Sequence, residues 1–272
     1  MALGVGIADR FEFDDFRPQI VKQTECFELM SNGLQYDDQS WMEELISQHL
    51  GSRVHLHSTA LSVCSSNLNK DEVSHFAELA RKFAPATISD HFSFRAAGDM
   101  QLENFIPPIL DADAISATRD NIKRIQDVSQ MSFDLENVTH LIGNACQIFR
   151  ERDYLLEICS ALDTGIVLDV SNIFIDSINF EFDVWEYLDA IPKSLIRTVH
   201  VAGFTTDIDG QIIDTHMERI SDDVLHLLAC LAPDFCEDVD IVLERDNGSA
   251  GVTEILDELS RIRFTLDRAL LK

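Results

Sequence analysis

The chain has 272 residues, 46% of them hydrophobic, which is enough for one large core, and α/β barrels commonly occupy this length as one unit. Its formal net charge of −27 at pH 7 excludes nucleic acids and anionic membranes as partners, because both would be repelled. No segment resembles a signal peptide and no apolar run reaches the roughly 18 residues of a membrane span, so we expect a cytoplasmic protein without a membrane anchor.

Short runs rich in β-branched residues recur along the chain, and longer segments with helical spacing lie between them. The eight predicted strands cover residues 3–7, 26–30, 53–57, 86–89, 131–136, 165–170, 197–201 and 240–244. Apolar residues recur at three- and four-residue intervals over 37–50, 70–83, 115–128 and 150–163, which predicts helices. The predicted N-cap residues are Ser40, Asn69 or Asp71, and Ser116.

Eight strand–helix alternations without a linker, a repeat or a change in composition predict a parallel α/β architecture. Their number and the chain length favour a single-domain (β/α)8 TIM-type barrel over residues 1–272. An open doubly wound sheet usually carries a glycine-rich phosphate loop after its first strand. The Gly-Val-Gly at 4–6 lacks the rest of that motif, so the open sheet is the weaker interpretation.

The carboxyl ends of six consecutive predicted strands carry imidazole, carboxylate and amide groups. These residues are His57, Asp90 and His91, Glu136 and Asn137, Asp169 and Asn172, His200 with Asp214 and His216 on the following loop, and Glu244 with Asp246. In a barrel, side chains at these ends converge on one site. Period-two alternation also places Glu244 and Asp246 on the same side if the strand continues, and likewise Asp214 and His216.

So dense a ring of imidazoles and carboxylates predicts bound cations, because like charges in a partly dry cleft repel strongly. Mixed nitrogen and oxygen ligands suit iron, manganese or zinc, and about eight ligands are more than one ion takes. The pattern therefore predicts a multinuclear metal site, with Asp90 as a partner that orients His91. Structural ion pairs are the alternative explanation, but arginine and lysine are scarce near these strand ends.

The remaining histidines and the cysteines are interpreted as structural. His55 shares the barrel-facing side of its strand with His57 but lies one layer deeper. Four further histidines fall on helical or loop segments and are predicted to be surface residues: His49, His75, His140 and His226. The six cysteines include no C-x-x-C pair, so we expect buried or free thiols.

At these residues the sequence resembles the DUF692 family, the multinuclear non-haem iron-dependent oxidative enzymes. The stretches that carry the resemblance are LHSTALSVCSS (56–66), SDHFSF (89–94), LENVTHLI (135–142), VLDVSNIFIDS (167–177), HVAGFTTDIDGQIIDTH (200–216) and VLERDN (242–247). They run in the family's order and cover most of the chain from the third predicted strand onward.

The resemblance implies a TIM-type barrel that holds two or three iron ions in mixed Fe(II)/Fe(III) states, with O2 as co-substrate. It also implies oxidation of a ribosomally made precursor peptide, typically at cysteine, and a partner protein that recognises the peptide leader. By matching motifs, the ligand roles pass to His57, His91, Glu136, Asp169, Asn172, His200, Asp214, His216 and Glu244. Asp90 and Asp246 are the candidate catalytic residues beyond these ligands.

The amino-terminal part departs from the family's pattern. After Phe27-Glu28 the chain reads Ser31-Asn32 where the family has Ser-Glu-Asn, Ser58 replaces a glycine, and Gly203-Phe204 replaces a glycine-histidine pair. We expect these differences to affect the substrate pocket and to leave the ring of ligands intact.

Three other functions stay open. A xylose-isomerase-like sugar isomerase or epimerase would use manganese, magnesium or zinc, but its polarising lysine is missing from every predicted strand end. A metal-dependent phosphodiester endonuclease is disfavoured by the net charge. A metal-loaded scaffold protein is disfavoured by the retention of every predicted type of ligand.

Overall fold

Strands and helices alternate along the part of the chain that the computed structural model describes, which comprises residues 3–34, 43–44, 46–47, 53–97, 100–246 and 250–271. The strands are β1 (Gly4–Ala8), β2 (Cys26–Met30), β3 (Val54–Ser58), β4 (Thr87–His91), β5 (Phe94–Ala97), β6 (Met100–Ile106), β7 (Phe133–Glu136), β8 (Ile166–Asp169), β9 (Ile196–Ala202), β10 (Thr205–Thr206), β11 (Ile212–Ile213) and β12 (Asp240–Glu244). The helices are α1 (Arg17–Val21), α2 (Lys70–Phe83), α3 (Ala112–Ser129), α4 (Ala145–Leu162), α5 (Val170–Asn179), α6 (Val184–Leu188), α7 (Asp222–Leu231) and α8 (Val252–Leu270).

Eight parallel strands close into a barrel in the order β1-β12-β9-β8-β7-β4-β3-β2. Each of the eight predicted strands agrees with one barrel strand to within two residues at either end. The predicted (β/α)8 architecture is therefore confirmed.

The predicted helices are confirmed where the structure describes them, although two of them begin three and five residues earlier than predicted and end one residue away from the predicted end. The side chain of Asn69 accepts a hydrogen bond from the Asp71 N–H at the start of α2, as predicted. Ser116 is not an N-cap, because Asp111 accepts a hydrogen bond from the Ala114 N–H and starts α3 earlier. The helix predicted over 37–50, with its N-cap Ser40, lies largely outside the described residues. No helix in the described ranges is long and apolar enough to span a bilayer.

The lumen of the barrel is polar, whereas the outer face of its strands is apolar. Leu56, Val199 and Leu243 belong to the hydrophobic core. Between these positions the strands carry His57, His200 and Glu244, whose side chains meet those of neighbouring strands inside the barrel. Barrels of this type usually fill their lumen with branched apolar side chains. Here the carboxyl end of the lumen is lined by ionisable groups instead.

Two antiparallel hairpins, β5–β6 and β10–β11, were not predicted, and each follows the carboxyl end of a barrel strand. The segment after β10–β11 returns so close to the end of β9 that a Cβ atom at Gly203 would lie 1.8 Å from the Glu218 carbonyl oxygen. A glycine is therefore required there for the backbones to approach. This approach fixes the path of the loop that carries Asp214 and His216.

Candidate metal centre

Glu136, the last residue of β7, lies between three histidines at the carboxyl end of the barrel. Its Oε2 is 3.2 Å from His57 Nε2 and 3.4 Å from His91 Nε2, and its Oε1 is 3.1 Å from His200 Nδ1. Two groups of potential ligand atoms, each within 4.8 Å of one another, share this carboxylate: His57, His91 and Glu136, and then Glu136, Asp169, His200 and Glu244. Glu136 therefore belongs to two groups of residues, each of which could hold a metal ion.

Asp214 and His216 extend the site from the loop after β11. Asp214 Oδ1 is 2.9 Å from His216 Nε2. His216 Nδ1 is 3.7 Å from Glu244 Oε2 and 3.6 Å from Asp246 Oδ2. His216 has a φ angle of 52°, in the left-handed region that non-glycine residues adopt only at a cost. This part of the site therefore depends on loop conformation, whereas the two groups around Glu136 are built on barrel strands.

Asp169, Asn172 and Asn137 are held together by hydrogen bonds between side chains and backbone groups. Asp169 ends β8 and caps α5, because its Oδ1 accepts a hydrogen bond from the Asn172 N–H at 2.8 Å. The Asn137 side chain accepts from the Asp169 N–H and donates to the Asp169 carbonyl, both at 3.0 Å. Asn172 Nδ2 donates to the Asn137 carbonyl at 3.0 Å. Asp169 Oδ2 and Asn172 Oδ1 remain available as ligands.

Buried polar atoms without a hydrogen-bond partner are concentrated in this site. Within the described residues they include Glu28 Oε1, Asp169 Oδ2, Asn172 Oδ1 and His216 Nδ1. A buried polar atom without a partner destabilises the fold, so a concentration of them indicates a binding site for a ligand. Carboxylate oxygens, an amide oxygen and imidazole nitrogens fit a transition metal such as iron, manganese or zinc.

The ionisation of these side chains follows from their neighbours. Burial would raise the pKa of the Glu136 carboxyl, but His91 and His200 outweigh burial and lower it. Burial would lower the pKa of His200, but the carboxylates of Glu28 and Glu136 raise it well above its usual range. Burial and the nearby Glu136 raise the pKa of Asp169. Protons thus balance the charges within the cluster. A cation bound here would replace them, so its binding would release protons and would strengthen as the pH rises.

Glu28, in the middle of β2, is a site residue that the sequence did not predict as a ligand. Its Oε2 is 3.1 Å from His200 Nε2, and the carboxylate is buried. Because Glu28 holds Nε2, the other ring nitrogen of His200 is directed towards Glu136 and Glu244. A carboxylate in this position fixes the orientation and tautomer of a ligating histidine. The available signal was a single charged residue within the apolar run CFELM.

Replacing Glu28 by glutamine is expected to weaken metal binding by about 10- to 100-fold, because His200 loses the carboxylate that orients its ring. A competition titration against a chelator of known affinity measures this change. Glu25→Gln is the matched control, since Glu25 lies three residues earlier and pairs with Arg263 at the surface. Equal metal affinity in the Glu28 variant and the control would contradict the orienting role.

Arg10 also lies in the site, and the expected scarcity of arginine near the strand ends is wrong at this position. Arg10 Nη2 donates to Glu244 Oε1 at 2.9 Å, and its Nε donates to Asp246. Arg10 lies two residues after the end of β1 and three after the end of the first predicted strand, so its approach to this end of the barrel was visible in the sequence and was overlooked. Arg10 therefore fixes Glu244 and Asp246 relative to each other. A catalytic role for Asp246 stays a prediction.

His91 is held on two sides. Its Nδ1 lies 3.3 Å from Asp90 Oδ1, and its ring stacks on Phe105 of β6 with the ring centroids 3.7 Å apart. Asp90 also accepts hydrogen bonds from the backbone N–H groups of His91 and Leu61, at 2.6 and 2.8 Å. Asp90 is therefore in a position to orient His91, and a catalytic role for it stays a prediction.

His140, predicted to be a surface residue, is buried, so that prediction is wrong. Its Nδ1 lies 2.7 Å from Asp176 Oδ2, and its Nε2 lies 2.7 Å from Glu151 Oε2. Burial would lower the pKa of His140, but its hydrogen bonds to the two carboxylates raise it to about 10. The imidazolium is buried because the loop after β7 packs against α4 and α5, which supply these carboxylates.

The other histidines and the cysteines agree more closely with the predictions. His55 is buried one layer below the site, 2.8 Å from Thr87 Oγ1 and 3.0 Å from Asp240 Oδ2. His226 is exposed and His75 is half-buried, whereas His49 lies outside the described residues. All six cysteines are free thiols.

Comparison with known sequences gives a match over almost the whole chain. Residues 4–267 match the family described as "RiPP precursor modification enzyme MbnB/TglH/ChrH", where RiPP denotes a ribosomally synthesised and post-translationally modified peptide. A UPF0276 protein of Shewanella amazonensis is 31% identical over 209 residues, which cover 76% of this chain and 74% of the relative. A UPF0276 protein of Caulobacter vibrioides is 28% identical over 218 residues, which cover 79% and 77%.

Solved structures share the architecture at low sequence identity. The 3-keto-D-glucoside 4-epimerase YcjR from E. coli superposes with a TM-score of 0.62 at 14% identity, over 96% of this chain and 99% of the epimerase. Endonuclease IV from Thermus thermophilus gives a TM-score of 0.60 at 10% identity, over 97% and 99%. At these identities the likeness shows the barrel fold alone. The sequence match is the specific one, and by it the chain belongs to the MbnB/TglH/ChrH family of RiPP precursor modification enzymes.

Proposed function

We propose that this protein is a multinuclear iron-dependent enzyme that uses O2 to oxidise a ribosomally synthesised precursor peptide at cysteine. Residues 1–272 act as one domain in the cytoplasm, together with a partner protein that recognises the peptide leader. The observation that carries the proposal is the buried Glu136 carboxylate, shared by two groups of histidine and carboxylate ligands. Family membership supports a precursor peptide as the substrate.

Three sets of residues would hold the metal ions. The first is His57, His91 and Glu136, and the second is Glu136, Asp169, His200 and Glu244. The predicted ligands that remain, Asn172, Asp214 and His216, would hold a third ion. Asn172 Oδ1 and His216 Nδ1 are buried without a hydrogen-bond partner, and Asp214 lies 2.9 Å from His216. Iron bound in such a site would activate O2 and would oxidise a bound thiolate by one electron.

The protein's own side chains orient the ligands. Ser89 Oγ lies 2.8 Å from His57 Nδ1, and Glu28 Oε2 holds His200 Nε2. Both histidines are thereby directed towards Glu136 through their other ring nitrogens. Phe105 covers one face of the His91 ring and excludes water from it. This arrangement preorganises the ligands before the substrate enters.

The structure gives less support to a sugar isomerase. Such an enzyme polarises its substrate with a lysine, but in the described ranges no barrel strand ends in one. The net charge of −27 continues to disfavour an endonuclease, because a nucleic-acid substrate would be repelled.

Metal content tests the proposal most directly. Protein produced in iron-supplemented medium and purified without oxygen is expected to contain two or more irons per chain, by elemental analysis and Mössbauer spectroscopy. The stoichiometry should fall in His57→Ala and Glu244→Ala variants. Zinc alone, manganese alone or no metal after iron reconstitution would overturn the proposal.

A further inference from the structure

A cavity of about 260 Å³ opens beside the metal centre. Its lining includes Asp214 and His216 of the candidate metal centre with Asp246, and further polar residues such as Asn104 and Gln211. The apolar part of the lining, here called the apolar wall, consists of Phe105, Leu141, Ile175, Ile212 and Ile213. The cavity therefore brings potential metal ligands and apolar side chains together, as substrate sites commonly do.

The charged groups that line this cavity already have partners. Asp246 is paired with Arg10, and Asp214 with His216. His140 also lines the cavity, but its two ring nitrogens face Asp176 and Glu151. The apolar side chains are therefore the part of the lining that is left for a ligand, which favours an uncharged occupant.

Leu141 shows that the apolar wall is incompletely covered. Its side chain is 53% exposed although it lines the cavity, and Ile212 and Ile213 on β11 are only half-buried. Large apolar side chains exposed at the edge of a pocket are typical of a surface that a ligand covers. Neighbouring Cα atoms in a peptide are about 3.8 Å apart. The residue next to a cysteine held at the metal centre, beside His216, would therefore lie close to the cavity that His216 also lines.

We propose that the cavity receives the neutral apolar side chain of the residue adjacent to the modified cysteine, and that Leu141 determines this sequence preference. The proposal rests on the proposed function, because it places the cysteine thiol at the metal centre. A peptide with an acidic residue at that position should be rejected.

Small thiol probes test this preference on the iron-loaded protein under anaerobic conditions. The probes are N-acetylcysteine amide and the N-acetyl dipeptide amides Leu-Cys, Cys-Leu, Asp-Cys and Cys-Asp. Binding is followed by the absorbance change that accompanies coordination of a thiolate to iron. In one of the two orders, we expect the leucine probe to bind about tenfold more tightly than its aspartate counterpart, as burial of an aliphatic side chain predicts.

Variants at two neighbouring positions test whether the cavity determines the preference for leucine over aspartate. Leu141→Ser should lower the preference for leucine by about threefold or more, because part of the apolar wall is lost. Ile142→Ser is the matched control, since Ile142 is 87% exposed and does not line the cavity. It should bind every probe as the wild type does. Thermal unfolding of both variants checks that each is folded.

The outcomes separate this inference from the function on which it rests. If N-acetylcysteine amide binds but the leucine and aspartate probes bind equally, the inference is wrong and the thiol-binding iron site stands. An equal loss of preference in the Leu141 and Ile142 variants would also overturn it. If no probe changes the absorbance of protein that contains iron, thiol binding fails and the proposed function is overturned together with the inference.

Discussion

Replacing Glu136 by alanine is expected to empty two metal positions at once, with an affinity loss of about 100-fold or more, because a shared ligand is lost. Among the described residues, Glu136 is the one that the two ligand groups at this end of the barrel have in common. Without it, His57 and His91 lose the carboxylate that they share. His200 also loses its contact with Glu136 and keeps those with Glu28 and Glu244. The measurement is the number of metal ions per chain after dialysis against a weak chelator.

A second variant makes this expectation specific. His91→Ala removes a ligand from the first group only, so it should lose about one ion where Glu136→Ala loses two. Glu157→Ala is the surface control, because Glu157 is exposed on α4 and pairs with Arg119. Wild-type metal content in the Glu136 variant, or the same loss in both site variants, would contradict a role for Glu136 in both groups.

Replacing His140 by alanine is expected to lower the free energy of unfolding by about 3–5 kcal/mol, because two buried carboxylates lose their cation. In a protein of this size the melting temperature should fall by about 10 °C. Asp176 and Glu151 are both buried and both lie 2.7 Å from the imidazole ring. His226→Ala is the control, since His226 is exposed on α7. A change of less than about 2 °C in the His140 variant would show that the buried ion pairs contribute little.

The imidazole of His140 also predicts how the stability of the fold depends on pH. The pKa of His140 is raised from 6.5 to about 10 in the folded protein. Its protonation therefore stabilises the fold fully below pH 6.5, and this contribution is lost as the pH rises through 10. The difference in melting temperature between wild type and His140→Ala should shrink from about pH 7 towards pH 10. A difference that stays constant over this range would contradict the assignment.

The eight barrel strands could be predicted because each is a short apolar run bounded by polar or turn residues. The hairpins could not, since β10 and β11 are two residues each and exist only through their pairing with each other. Asp111 was overlooked as the N-cap of α3 because the apolar spacing of this helix becomes visible only after its first turn. The predicted N-cap, Ser116, therefore lies inside the helix.

The candidate site was predictable where a ligand residue ends a strand, as His91, Glu136 and Asp169 do. Glu28 was not found because it lies in the middle of β2. Parallel register places it beside Ala8, the last residue of β1, so the stagger of the barrel brings it level with the site. That stagger cannot be derived from one sequence. His140 was misjudged because its burial depends on how the following helices, with Glu151 and Asp176, pack against its loop.

The left-handed turn at His216 has a consequence for how firmly the two parts of the centre are held. The segment with Asp214 and His216 is attached by the β10–β11 pairing, by hydrogen bonds between the Ile212 backbone and the Asn179 side chain, and by the hydrogen bond from the Asp246 N–H to the His216 carbonyl at 3.0 Å. The residues around Glu136 are held instead by the ladder of eight strands. Local opening costs less free energy in a loop than in a central sheet. Amide hydrogen exchange should therefore be faster around His216 than in the barrel strands, and a substitution in this loop should change the local site with less effect on the stability of the whole barrel.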